Sequence, residues 1–203
     1  MSSGASRRAA IALLIALPFA GCRPLPLFTT PDPAEGVQDR RPEGQSFVDE
    51  AIERDTLAAI EERFPRDTRV TVSAFNGLVL LTGEAPSEEI RAGCAAVVAS
   101  YPGVRRIVNE IRLAPVSTPT ARAVDAHITG TVKARFLQAR RFRPVQVRVL
   151  TDDGVVYLMG LVTPEEADAA ADIAARTPEV KSVARVFETY PLPPAAGASP
   201  APN

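Results

Sequence analysis

The chain has no tryptophan, one histidine (His127), two cysteines (Cys22 and Cys94), and only 5% aromatic residues among its 203 positions. Each scarcity closes off a class of chemistry. A Cys/His zinc site cannot be assembled from this inventory. A histidine-dependent triad has one candidate base, with no nucleophile or pocket identified around it, and His127 reads as a solvent-facing helical residue. A dominant charge is also missing: 23 basic residues stand against 24 acidic ones, a formal charge of −1. That balance excludes a polyelectrolyte that grips nucleic acid by neutralising phosphates. The expectation is a non-enzymatic protein with no metal, no cofactor and no nucleic-acid partner.

Long apolar runs are absent too. The run Ala9–Ala20, behind Arg7 and Arg8, is too short to span a bilayer as a permanent helix. It has the basic start and apolar middle of an export signal. It closes on Phe19-Ala20-Gly21-Cys22, which resembles the lipobox of bacterial lipoproteins, with Phe19 where leucine is usual. The resemblance implies acylation of Cys22, which becomes the first mature residue; multiple acyl chains make a stable anchor where one does not. Arg23 after it leans, by the same resemblance, towards the outer membrane. An ordinary cleaved signal with a chance Cys22 is the alternative. Processing removes Arg7 and Arg8, leaving 21 basic against 24 acidic residues. Cys94 is then the only unmodified thiol, in an apolar helical stretch that reads as core.

Residues 22–46 are rich in proline and charge and read as a lipidated tether; the 24 residues from Arg23 reach about 25–30 Å as a coil. From Pro191 a Pro/Ala-rich tail, 191–203, reads as disordered. Between them the chain repeats. Gly77-Leu-Val79-Leu-Leu81-Thr-Gly83 recurs as Gly154-Val-Val156-Tyr-Leu158-Met-Gly160, both fitting G-x-V-x-L-x-G at an offset of 77. Glu88-Glu89 then matches Glu165-Glu166, and Pro102-Gly103-Val104 matches Pro178-Glu179-Val180 one residue out of step. Such spacing marks a duplicated domain.

Each copy opens on a helical pattern: Ile52, Leu57, Ile60 and Phe64, then Val124, Ile128, Val132 and Phe136. Period-2 alternation comes next at Val70, Val72, Ala74 and at Val145, Val147, Val149, predicting strands with one buried face. Asn76-Gly77 and Asp153-Gly154 supply hairpin turns. The Asp152-Asp153-Gly154 run lacks the ligand spacing of a calcium loop. Thr163-Pro-Glu-Glu166 predicts a helix N-terminus with a capping box, and the paired glutamates suit first helical turns. The fold class is α+β: two tandem α-β-β-α-β units, each a three-stranded sheet with two helices on one face. The units run over 47–114 and 123–190, with a linker at 115–122.

The hairpin motif, the alanine-rich second helix and the close Pro102-Gly103-Val104…Ile107…Asn109 resemble the BON-domain family, over about Val48 to Tyr190. In the second copy Glu179 replaces the motif glycine and Arg185 the asparagine, which implies a looser turn there. Two copies behind a lipobox resemble the doubled lipoprotein members. The resemblance implies contact with phospholipid or membrane surfaces and support of outer-membrane integrity, without catalysis. In those members anionic-phospholipid contact belongs to the first helix of the second domain and its surroundings. The matching region here is Val124 to about Leu137, with the basic stretch up to Arg143.

The residues of that region independently support the reading. Lys133, Arg135, Arg140, Arg141 and Arg143 fall within eleven positions uninterrupted by acid, and each contributes about 1 kcal/mol near an anionic bilayer. Phe136 and Phe142 interleave; Phe136 reads as core, and an exposed ring would insert at the headgroups. A solvated basic loop is the other reading. Two functions stay open at this point: anionic-phospholipid binding, with envelope proteins as further partners, and an OsmY-type periplasmic chaperone or adaptor binding client proteins.

Overall fold

In the computed structural model the described residues are 39–64, 66–139 and 141–190. The first repeat runs α1 (Gln45–Arg63), β1 (Arg69–Phe75), β2 (Leu78–Ala85), α2 (Glu88–Ala99) and β3 (Arg106–Leu113). The second runs α3 (Pro119–Gln138), β4 (Val147–Asp152), β5 (Val155–Val162), α4 (Pro164–Ala175) and β6 (Ser182–Thr189). In each, the hairpin pairs antiparallel and the last strand joins the central one in parallel, giving orders β1-β2-β3 and β4-β5-β6. This is the expected α-β-β-α-β architecture, twice. The first turn of α3 lies within the stretch read as linker.

The two glycines of the repeated motif have different causes. Gly77 and Gly154, at φ of 73° and 74°, come directly after Asn76 and Asp153 at 54° and 49°, the left-handed pairs that a two-residue hairpin turn needs. Gly83 and Gly160 answer a close approach, and Gly83 lies in addition at φ 121°. A Cβ there would sit 2.0 Å from the Arg69 carbonyl oxygen and 2.2 Å from that of Gln146.

Each sheet buries one face under its own helices. Ile52, Ile60, Val79, Leu81, Cys94 and Val98 share the first core, and Cys94 is fully buried within it, which pushes its thiol pKa up. Ile128, Val132, Phe136, Val156, Leu158 and Ala170 belong to the second. A third core joins the two sheets: Phe75, Leu78 and Leu80 meet Tyr157, Met159 and Val186. The central strands are therefore buried on both faces, and the x positions of the repeated motif are the residues that face the other domain.

Three expectations need correction. Val124 is 45% exposed; the stripe on α3 runs Asp125, Ile128, Val132, Phe136. Val145 is not in a strand. Pro144 fixes φ and opens a 3₁₀ turn over Pro144–Gln146 that turns Val145 outward, so β4 begins at Val147. The turn at Glu179 is not looser: Glu179 takes the left-handed conformation of Gly103, at φ 68° against 88°.

Polar contacts seal the joint between domains. Arg69 Nε and Nη2 donate to the Glu84 carboxylate at 2.8 and 3.2 Å, and Nη2 also reaches Asp152 Oδ1 at 2.7 Å. Arg112 Nη2 donates to Glu84 Oε1 at 2.7 Å and lies 3.3 Å from Asp152 Oδ2. Glu84 and Asp152 are buried. Burial pushes the Glu84 pKa up, but the hydrogen bonds and charge of Arg69, with Arg112 beside it, outweigh that and hold it below the usual range. The interface is pseudo-twofold. Arg112 and Asp153 meet at one end, while Glu188 and Asn76, their repeat counterparts, meet at the other.

Candidate membrane-contacting site

The basic stretch forms the last turns of α3 and the loop into β4. Lys133, Arg141 and Arg143 are exposed. Arg135 is half-buried and tied down: its Nη1 donates to the Arg176 carbonyl at 2.6 Å and to Thr177 Oγ1 at 3.2 Å. It thereby satisfies a carbonyl at the C-terminus of α4, where basic side chains belong. Arg140, like the acylation candidate Cys22, lies outside the described residues.

Neither phenylalanine is available for insertion. Phe136 and Phe142 are buried against one another, their ring centroids 4.9 Å apart and nearly perpendicular, an edge-to-face pair that pins the loop to the core. The apolar surface here belongs to other residues. Leu137 is 77% exposed and Val145 is 50% exposed. Leu137 stands one turn from Lys133 on the same helix face. The sequence signal for Leu137 was its position one step off the buried stripe, and for Val145 the proline before it.

Beside this loop the chain enters the described body. Arg40 forms a two-pronged pair with Glu166 at 2.5 and 2.9 Å, donates to the Leu161 carbonyl at 3.2 Å, and lies 4.5 Å over the Tyr190 ring. Arg41 pairs with Asp39 and with Asp49 (2.9 Å), over the ring of Phe75 at 4.5 Å. Neighbouring arginines thus hold opposite domains, a feature that proline-rich composition concealed. Glu166 completes the expected capping box with Thr163.

A cleft of about 260 Å³ lies between the domains here, lined by Ser46, Glu50, Lys133, Pro144 and Val145 among others. Its basic residues Arg41, Lys133 and Arg148 are balanced by Asp49, Glu50 and Glu53. A neutral cleft of that kind gives no field to draw in an anion, so exposed Arg141 and Arg143 outside it, with Lys133 at its rim, are the stronger electrostatic feature. Among the described residues no group of three or more His, Cys, Asp or Glu is placed to hold a metal ion, and no helix is long and apolar enough to cross a membrane.

Comparison with known proteins decides the family. The BON-domain model matches residues 49–115 and again 124–189. The chain belongs to the BON-domain family. The outer membrane lipoprotein DolP of Haemophilus influenzae is 31% identical over 157 residues, spanning 76% of this chain and 81% of that one. A 21 kDa hemolysin of Actinobacillus pleuropneumoniae is 31% identical over 151 residues, 73% and 78% of the two chains. Among solved structures, the C-terminal domain of CdsD, a structural protein of the Chlamydia trachomatis type III secretion system, covers 69% of this chain at 13% identity. Its TM-score of 0.29 supports no conclusion.

Within the BON frame the two departures in the second copy keep their structural work by other means. Asn109 Nδ2 donates to the Arg91 carbonyl of α2 at 3.1 Å. Arg185, its counterpart, pairs with Asp168 of α4 at 2.5 Å. Strand and helix are linked in both BON domains, once by an amide and once by an ion pair.

Proposed function

We propose that the chain is a lipid-anchored periplasmic protein of the outer membrane that reads anionic phospholipid surface through its second BON domain, without catalysis. The observation that carries this is the grouping of exposed Arg141, Arg143 and Lys133 with exposed Leu137 and Val145. Each arginine supplies about 1 kcal/mol near an anionic leaflet, and the two apolar side chains add shallow insertion. Arg135 is the part of the sequence-read set that serves the fold. The anchor rests on Cys22 and the lipobox resemblance, and the location on that resemblance together with the lipoprotein relative. A non-catalytic role agrees with the use of buried Asp49, Asp125 and Glu84 as hydrogen-bond acceptors for turns and for the domain joint.

The test is co-sedimentation of the chain from Arg23 onward with phosphatidylglycerol and phosphatidylcholine vesicles at low and high salt. Binding to the anionic vesicles alone, falling with salt, is the expected result. Equal binding to both, or to neither, would remove the electrostatic reading.

One observation favours the OsmY-type reading of client binding, with envelope proteins as partners. A groove of about 710 Å³ at the far end of the first domain is lined by Pro86, exposed Leu113, Pro115 and Val116. It borders β3, an edge strand of its sheet. Client binding there would survive salt and would be lost on Leu113→Asp.

A further inference from the structure

Phe47 is 75% exposed in the first turn of α1 and takes no part in any of the three cores. A chain of contacts places that turn at the same end of the molecule as the second domain's basic loop. Asp49, one half-turn on, accepts hydrogen bonds from the backbone of Asn76 and Gly77 at 2.7 and 2.9 Å. Asn76 Nδ2 donates to Glu188 Oε2 at 2.8 Å, and Glu188 is the register partner of Leu161. On the other side of β5, Gly160 is the register partner of Val147, which comes directly after the 3₁₀ turn bearing Val145. Ser46, next to Phe47, lines the interdomain cleft together with Lys133, Pro144 and Val145. The chain also enters the described body here, held by Arg40 and Arg41.

We infer that the membrane-contacting surface spans both domains, with Phe47 of the first domain entering the lipid interface beside Leu137 and Val145 of the second. The inference rests on the proposed reading of anionic lipid and adds a partner surface to it. Leu137 and Val145 stand beside exposed Lys133, Arg141 and Arg143, the composition that an anionic headgroup region accepts, and Phe47, flanked by exposed Glu43 and Glu50, adds apolar surface but no positive charge. The sheet-to-sheet joint makes the two domains one body, so both contacts can be made at once and their effects multiply. At the opposite end Leu113 is also exposed, but it lies near Asp152 and Asp153 through Arg112, its chain neighbour. Asp152 is buried there, and Arg69 and Arg112 are already paired with Glu84, Asp152 and Asp153.

The absence of tryptophan makes the test direct. Phe47→Trp, Leu137→Trp and Leu113→Trp are made singly in the chain from Arg23 onward, which keeps every residue of the described body and its three cores. Each is mixed with phosphatidylglycerol vesicles carrying brominated acyl chains, and vesicle binding is measured alongside. The expected result is a blue shift and quenching at positions 47 and 137 and neither at 113, with Phe47→Ala weakening vesicle partitioning by roughly three- to tenfold. Quenching at 137 without quenching at 47 would overturn the two-domain surface and leave the second-domain reading intact. Equal quenching at 113 would overturn it by showing no preferred end. No binding of any variant or of the parent would sink the inference and the lipid reading together.

Discussion

Asp125 Oδ1 accepts the backbone N–H of Gly154 at 2.8 Å, and its Oδ2 accepts that of Asp153 at 3.0 Å. Asp49 does the same for Gly77 and Asn76 in the first domain, 2.9 and 2.7 Å away. A buried carboxylate on the first helix thus ties down the hairpin turn of each repeat. A charged acceptor is worth about 1.5–3 kcal/mol and leaves its donors unsatisfied when it is removed. Asp125→Ala is therefore expected to cost about 1.5–3 kcal/mol in urea unfolding, as is Asp49→Ala. A loss under about 0.5 kcal/mol in both variants, below the usual worth of a single hydrogen bond, would show that the turns hold themselves.

Glycines that look alike in the sequence should respond in opposite ways. Gly160→Ala places a methyl 2.2 Å from the Gln146 carbonyl oxygen, whereas Gly130 in α3 has nothing within 4 Å of a new Cβ. Gly130→Ala is expected to raise stability by about 0.5–1 kcal/mol through helix propensity. Gly160→Ala should cost more than about 2 kcal/mol, since strand backbone must separate. Thermal melts of the two variants decide this, and a neutral Gly160→Ala would contradict the packing.

Glu179 occupies a left-handed conformation that costs a side-chain residue about 1 kcal/mol. Replacing it with the glycine found in the first repeat is expected to raise stability by about that amount. A fall in the melting temperature of Glu179→Gly would mean that the Glu179 side chain makes a compensating contact.

The domain joint should weaken at both ends of the pH scale. Glu84 has its pKa lowered in the folded state, as has Glu166 beside Arg40. Their stabilisation is full above the unfolded carboxylate value, about 4.3, and is lost as pH falls towards the folded values. Tyr157 behaves in the opposite sense. Burial first, then the charges of Glu110 and Asp152, push its phenol up to about 12. Stability is present below the unfolded phenol value, about 10, and is lost as pH rises from there. Tyr157→Phe keeps the ring in the joint and should flatten the alkaline limb of a stability–pH curve. Identical alkaline slopes for variant and parent would contradict this assignment.

Much of the fold was legible because its signals are local. The doubled G-x-V-x-L-x-G, the Asn76-Gly77 and Asp153-Gly154 turns and the Thr163 capping box each act within a few residues. The joint between domains was harder to read because alternation is masked when both faces of a strand are buried. Leu78, Leu80, Tyr157 and Met159 stood at the x positions of the motif, and their apolarity was the available sign. Asp49 and Asp125 were missed because a carboxylate's partner, a turn 27 or 28 residues away, leaves no trace in helical periodicity. At the candidate site, net charge located the stretch but could not separate Arg135, held by the end of α4, from exposed Arg141 and Arg143. Phe142 stood open to insertion in the sequence because its partner Phe136 closes over it only in three dimensions.

The central claim, that one end of this two-domain body reads anionic membrane, is tested most directly by paired charge reversals. Arg141→Glu with Arg143→Glu changes the net charge as much as Arg63→Glu with Arg66→Glu, an exposed pair at and just beyond the far end of α1. Partitioning of both double variants onto phosphatidylglycerol vesicles at fixed low salt separates local contact from overall charge. The Arg141/Arg143 variant is predicted to lose binding by roughly tenfold or more, at about 1 kcal/mol per residue removed and further repulsion added, while the Arg63/Arg66 variant stays near the parent. Equal losses in the two would contradict the account and reduce membrane attraction to net charge alone.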